Sequence, residues 1–209
     1  MRKVLKENRW YITSIVLLLV IYIILFKSSF YDVILSFDNE VRKFVTSIID
    51  DNLTLFFKTM TNYGDFYLPI AVIVCIFLIN KNKWYSYLLA GGYGLSGMIA
   101  LIFKTAISRP RPLEALIKIP SSFSFPSGHT FTSIVFYSFL CYLLTVQSGK
   151  IKKTVFYIFF IIIALIISIS RIYLGVHYFS DVVGGMLLAI PCVLMLINIV
   201  EKNFKEKLL

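Results

Sequence analysis

Pro126-Ser127-Gly128-His129 leads directly into Phe131–Val146, an apolar stretch without a single charged side chain. A capping residue and a glycine set against such a run read as the start of a helix buried in protein or in lipid. On the C-terminal side Val155–Ser170 and Val182–Val200 follow, and Trp10–Phe26, Phe66–Asn80 and Trp84–Phe103 precede it. The chain of 209 residues is 58% hydrophobic and 15% charged, with a mean hydropathy of +0.82. Soluble domains carry about 45–50% apolar and about 25% charged residues, so too few charges remain here to cover a water-facing surface. Several of the stretches fall short of the ~20 residues that cross a bilayer core, and flanking Trp, Tyr and Lys lengthen them. Backbone groups in lipid must be satisfied within the segment, so each stretch is expected to be a helix. The expected fold is all-α: one membrane-embedded domain over residues 1–209, an integral bundle of six transmembrane helices plus short interfacial helices. Disorder, a collagen-like repeat and a disulfide scaffold are excluded.

The first span follows Arg2, Lys3, Lys6 and Arg9 and lacks a small-residue cleavage site, so it reads as an uncleaved signal anchor. With the N-terminus in the cytoplasm, the cytoplasmic segments hold twelve of the 21 Lys and Arg, and the outer segments hold nine. The positive-inside rule then puts both termini in the cytoplasm. It also explains the net charge of +10 without nucleic acid. Between the first two spans, Val41, Phe44, Val45 and Ile48, then Leu53, Phe56, Phe57 and Met60, repeat at helical spacing. Two amphipathic interfacial helices are expected, with Asp38 and Asp51 or Asn52 as caps and Gly64 as terminator. Covering the bundle is their plain role, and guiding a lipid is the alternative. Ala90, Gly94 and Gly97 in the third span, and Gly185 and Ala189 in the sixth, predict close helix packing. Cys75, Cys141 and Cys192 lie in apolar runs and are expected to be buried free thiols.

Three polar clusters interrupt this apolar chain, all on the predicted outer face. They are Lys104 with Arg109-Pro110-Arg111-Pro112, then Pro126-Ser127-Gly128-His129, then Ser170-Arg171 with His177 and Asp181. Read singly, each has a plain account: a snorkelling cation, a helix cap, a local hydrogen-bonded pair. Together they put cations, a helix N-terminus and both histidines of the chain on one side of one membrane, where ionisable groups are functional candidates. Lys104, Arg111 and Arg171 donate and do not accept, and Arg forks match phosphate oxygens. Backbone N–H groups near Ser127 and Gly128 make an anion site at a helix start. His177 suits a nucleophile with Asp181 holding its second nitrogen, and His129 suits an acid that then serves as base. No carboxylate cluster suggests Mg²⁺, so neither a metal nor a cofactor is expected.

These clusters resemble the type-2 phosphatidic acid phosphatase family of membrane lipid phosphatases. Lys104, six residues, then Arg111-Pro112 matches its first motif. Pro126 to His129 matches the second. Ser170-Arg171, five residues, His177, three residues, Asp181 matches the third. Arg109-Pro110 duplicates the Arg-Pro pair early, and the spacing favours Arg111 as phosphate ligand with Arg109 as helper. The resemblance implies a metal-independent, six-helical enzyme working on the extracytoplasmic face. His177 would be its nucleophile, Asp181 the orienter, and His129 the acid-base. Lys104, Arg111, Ser127, Gly128 and Arg171 would hold phosphate. Phe123 to His129 with Tyr173-Leu174-Gly175-Val176-His177 is most similar to the phosphatidylglycerophosphatase B type, and bacterial undecaprenyl pyrophosphate phosphatases share the compact form. A lipid phosphate substrate and the bilayer are the expected partners, with no protein partner required. Phosphotransfer to another lipid hydroxyl, or a non-catalytic phosphate-lipid binder or flippase, would keep the same residues.

Overall fold

The computed structural model describes residues 2–208. Its elements are α1 (Arg2–Glu7), α2 (Arg9–Lys27), α3 (Phe30–Ser47), α4 (Asp51–Thr61), a 3-10 turn (Asn62–Gly64), α5 (Tyr67–Ile79), α6 (Trp84–Ile107), α7 (Gly128–Thr145), α8 (Lys150–Tyr173), α9 (Phe179–Asn203) and α10 (Lys205–Leu208). The described residues contain no strand. Among the described residues, helices α2, α6, α8 and α9 are the four long and apolar enough to cross a membrane. The segment Asp51–Gly64 with α5, bent by 48°, makes a fifth if it is counted as one broken span.

Helix α7 stands apart because it is the axle of the bundle. It packs against α6, α8 and α9, and its Phe131, Val135, Phe136, Phe139 and Leu143 are buried at the centre of the core. Thr130, Ser133, Ser138 and Thr145 dilute its apolar character and face protein, not lipid. The bundle has its large apolar side chains on both faces, as a lipid-solvated protein must. Leu17, Ile24, Leu101 and Ile162 are exposed on the surrounding helices.

The predicted stripe Ala90, Gly94 and Gly97 is exposed, and a Cβ on Gly94 or Gly97 would meet nothing within 4 Å. The buried face of α6 is the neighbouring one, where Gly92 lies against Phe139. Gly185 and Ala189 do pack, with Gly185 against Ser127, which precedes α7, and Thr130 in its first turn. Cys141 and Cys192 are buried and Cys75 is exposed, all as free thiols.

The two amphipathic helices exist, with different starts. α3 begins at Phe30 rather than Asp38, because Phe30, Val33 and Phe37 extend its apolar face; they are exposed together with Phe44. Asp38 is therefore a mid-helix residue, and it is buried. The cap of α4 is Asp50, whose carboxylate accepts the Asn52 and Leu53 N–H groups at 2.9 and 3.1 Å. Asp51 and Asn52 are its first helical residues.

Hydrogen bonds gather the connections at one end. Asn198 donates to Asn8 at 3.0 Å, Asn82 to the Lys207 carbonyl at 2.6 Å, and Gln147 to the Leu208 carbonyl at 2.6 Å. The C-terminal ends of α6 and α8 and the N-terminal ends of α7 and α9 lie at the opposite end, and the polar clusters belong to them.

Candidate active site

α6 ends at Ser108, whose left-handed conformation (φ 54°) turns the chain while its N–H donates to the Lys104 carbonyl at 2.9 Å. Pro110 and Pro112 bar any further helix and hold the next residues extended. This leaves Arg111 on a loop that folds back on itself. Its guanidinium donates to the Ser122 carbonyl (2.7 Å), the Val176 carbonyl (2.8 Å) and the Phe123 carbonyl (3.3 Å). Lys104 Nζ donates to the same Phe123 carbonyl at 2.6 Å, so both cations converge there. A Cβ on Gly128 would stand 3.6 Å from Lys104 Cε, which puts the start of α7 beside them.

His177 joins this group from the loop between α8 and α9. Its Nε2 is 3.0 Å from Arg111 NH1. Arginine only donates, so Nε2 carries the lone pair and Nδ1 carries the proton. Nδ1 lies 3.3 Å from Asp181 Oδ2 and 3.4 Å from Ser124 Oγ. Asp181 is fixed in turn by its own helix start: Oδ2 accepts the Tyr178 N–H at 2.9 Å and also the Ser124 hydroxyl. Both members of the pair are buried, at 3% and 0% exposure. Burial pushes the His177 imidazole down to about 3, helped by the Arg111 and Lys104 cations and opposed by Asp181. The ring is thus held neutral, with its unprotonated Nε2 on the side of the Arg111 and Lys104 cations: a setting that can hold an anion and attack it.

At α7, Ser127 is the N-cap. Its Oγ accepts the Thr130 N–H at 3.4 Å and the Thr130 hydroxyl at 3.0 Å, while its own N–H donates to the Asp181 carbonyl at 3.0 Å. The N–H of Ser127 is consequently used within the protein, and the N–H groups of the first turn left without an intrahelical acceptor are those of Gly128 and His129. His129 Nε2 is 2.9 Å from Asp65 Oδ1, on the loop before α5. Arg171, at the end of α8, is 3% exposed and donates through NH1 to Thr61 Oγ1, while its Nε is buried without a protein partner. Lys104, Arg111 and His129 all lie within electrostatic reach of Arg171.

All eight residues expected from sequence therefore meet at one end of the bundle. Arg109 does not join them as a phosphate helper. It is buried on the far side of Asp181, donating to Asp181 Oδ1 (2.6 Å), Asp38 Oδ2 (2.6 Å) and Ser180 Oγ (2.7 Å). Phe26, Tyr31 and Tyr178 enclose it with ring centroids at 4.9, 5.6 and 4.1 Å. A cation held by two carboxylates and three rings has no free fork for a ligand. Sequence reasoning also missed Asp65, Thr61, Ser124 and Asp38. Ser124 stands within the quoted Phe123–His129 stretch, and Asp38 is the acid just before an amphipathic period; both signals are present. Nothing in the sequence pairs Asp65 with His129.

Known proteins resemble this chain over most of its length. The sequence pattern of the PAP2 superfamily matches residues 85–205. The chain is 32% identical over 197 residues to phosphatidylglycerophosphatase B of Bacillus subtilis (strain 168), covering 91% of this chain and 94% of that one. It is 26% identical over 189 residues to undecaprenyl-diphosphatase of Sulfolobus acidocaldarius, covering 88% and 86%. The crystal structure of the transmembrane PAP2-type phosphatidylglycerolphosphate phosphatase from Bacillus subtilis superposes with a TM-score of 0.81 at 28% identity, over 91% of this chain and 96% of that one.

Proposed function

We propose, from the premise that this chain belongs to the PAP2 superfamily and is a multi-pass membrane lipid phosphatase, that it cleaves a phosphate monoester or diphosphate of a membrane lipid through a phosphohistidine on His177. The carrying observation is the setting of the His177 ring, with Nε2 3.0 Å from Arg111 NH1 and Nδ1 3.3 Å from Asp181 Oδ2, which supports a lone pair on Nε2 and a proton on Nδ1. Nε2 attacks phosphorus, the bond to the leaving oxygen breaks, and His129 gives that oxygen its proton. His177 becomes a cationic phosphoramidate whose Nδ1–H the Asp181 carboxylate stabilises, much as a triad aspartate does for its histidine. Water then loses a proton to His129 and attacks phosphorus. The P–N bond breaks, inorganic phosphate leaves and both histidines return to their starting states. Lys104, Arg111, Arg171 and the N–H groups at Gly128 and His129 bind the equatorial oxygens, whose charge grows in the transition state. Ser127 shapes that helix start through its cap.

This chemistry needs no metal, because three cations and a helix N-terminus supply the positive field. The bundle crosses the membrane six times as one domain, with α7 and α5 as the two spans of lower apolar length. α3 and α4 lie in the outer interface with exposed Phe30, Val33, Phe37 and Phe44 toward lipid. Both termini and the loops around Asn82 and Gln147 sit in the cytoplasm, where the basic residues concentrate, and the site faces the extracytoplasmic side. The names of the relatives point to phosphatidylglycerophosphate and undecaprenyl diphosphate as substrates.

The test is phosphate release from those two lipids by the purified protein in EDTA, beside His177→Ala. Release from either lipid that falls by about 10⁴-fold or more in the variant is expected. Undiminished release in His177→Ala overturns the nucleophile, and loss in EDTA restored by Mg²⁺ overturns the metal-free chemistry.

A further inference from the structure

The end of α4 touches the site twice. Thr61 accepts from Arg171, and four residues later Asp65 stands 2.9 Å from His129. Gly64 brings the two contacts together. A Cβ there would come within 2.6 Å of Ile167 Cγ2, 3.0 Å of His129 Cδ2 and 3.1 Å of Ser133 Oγ. Only a residue without a side chain lets the backbone press against α7 and α8 in this way. The approach sets the carboxylate of Asp65 on the ring nitrogen rather than on solvent, although its side chain remains 40% exposed.

We infer that Asp65 is a positioning residue for proton transfer by His129, an inference that rests on the acid-base role given to His129 above. A carboxylate at Nε2 accepts the Nε2–H, so in the neutral ring the lone pair is on Nδ1 and that nitrogen exchanges the proton. In the cationic ring both nitrogens carry hydrogen, and the charge has an anionic partner. That partner matters because Arg171 and Arg111 both stand close enough to oppose a positive His129. Asp65 does for the second histidine what Asp181 does for the first. The site contains two histidine–carboxylate pairs, one built within a helix start and one delivered by the segment between the first two spans.

A general acid is needed only when the leaving oxygen is basic. Phosphatidylglycerophosphate expels an alkoxide and requires a proton; p-nitrophenyl phosphate expels a stabilised phenolate and does not. kcat/KM reports the first phosphoryl transfer, where this difference acts. Asp65→Ala is expected to lower kcat/KM for the lipid by about 10–100-fold and for p-nitrophenyl phosphate by less than about 3-fold. Asp65→Asn, which keeps the shape and an acceptor oxygen, falls between Asp65→Ala and the parent on the lipid. Placed on His129→Ala, Asp65→Ala should cost nothing further. Equal losses on both substrates, no loss on either, or a further tenfold fall in the His129→Ala background overturns the inference. His129→Ala itself separates the two readings. If it lowers both substrates alike, the acid role of His129 fails. If it shows the asymmetry and Asp65→Ala does not, only the assignment of Asp65 fails.

Discussion

Arg109 and Arg111 sit two residues apart in the same Arg-Pro repeat, and their surroundings support opposite duties, one structural and one in the proposed phosphate site. Replacing each by methionine separates those duties. Arg109 is 2% exposed and is the counter-ion of both Asp38 and Asp181, at 2.6 Å each. Without it, two buried carboxylates face each other across Ser180 with no cation between them. Removing one partner from a buried ion pair costs about 3–5 kcal/mol, chiefly because the charge left behind has lost its water and its partner. For chains of 150–250 residues, each kcal/mol moves Tm by about 2–4 °C, so Arg109→Met should melt about 6–20 °C lower than the parent. Arg111 bonds to three carbonyls, a hydroxyl and an imidazole nitrogen, and to no carboxylate. Its loss leaves neutral acceptors at the site opening and should cost about 1–3 kcal/mol at most, while hydrolysis falls by about 10²-fold or more.

The assay is thermal unfolding in detergent read by a thiol-reactive fluorophore. Cys141 and Cys192 are buried and report unfolding; Cys75 is exposed and is first changed to serine. Phosphate release is measured on the same samples. Arg109→Met with the melting temperature of the parent and no activity would show that Arg109 serves the ligand, and the reading of its burial would be wrong. Arg111→Met with the larger stability loss would exchange the two roles.

Two further outcomes are expected. A Cβ on Gly184 would stand 2.3 Å from the Phe125 ring, so Gly184→Ala must displace the loop that carries Ser124. Overpacking of this kind costs about 1–3 kcal/mol, and the variant should melt several degrees lower with reduced hydrolysis; a parent-like melting curve would show that Phe125 moves freely. The folded-state value of His177, about 3, lies below the roughly 6.5 of a free imidazole. As pH falls, the unfolded chain therefore takes up this proton first. The stability from keeping His177 neutral is complete above pH 6.5 or so and declines toward pH 3 by about 1.4 kcal/mol per unit. His177→Gln should flatten the acid limb of Tm against pH by that slope, and an unchanged limb would mean that other groups govern it.

The motif residues were legible because their chemistry depends on short spacings that survive folding. His177 and Asp181 are one helical turn apart in sequence and 3.3 Å apart in space. Lys104 and Arg111 are separated only by the end of one helix and a proline-stiffened loop. The small-residue stripe of α6 misled for a reason particular to membranes. In lipid the outward face is as apolar as the inward one, so Ala90, Gly94 and Gly97 give no sign of which side packs, and the packed glycine proved to be Gly92. Asp38 looked like a cap because an acid before an amphipathic period normally is one. The helix instead continues through it from Phe30, with Phe30, Val33 and Phe37 extending its exposed apolar face and Asp38 buried on the other. Asp65 lies 64 residues from His129, and no local rule connects them.

Four contacts that lie outside the three motifs share an origin. Asp38, Arg42, Thr61 and Asp65 all precede residue 85, where the match to the superfamily pattern begins. Each reaches a different part of the site. Asp38 bonds the start of α9 through the Ser180 N–H at 2.9 Å and holds Arg109. Arg42 donates to the Glu114 carbonyl at 2.8 Å and fills the space beside Gly175, where φ is +71° and a Cβ would strike that carbonyl at 2.5 Å. Thr61 holds Arg171, and Asp65 holds His129. The motif residues sit at helix ends, where backbone groups are unpaired and fraying is easiest, and four such ends must agree to within a fraction of an ångström for phosphoryl transfer. Bundle packing fixes the helix axes but constrains their ends least. Helices α3 and α4 lie across those ends and tie them by charged and polar contacts. Their amphipathic pattern leaves one face exposed and apolar while the other carries Asp38, Arg42 and Thr61 inward, with Asp65 following on the turn after α4.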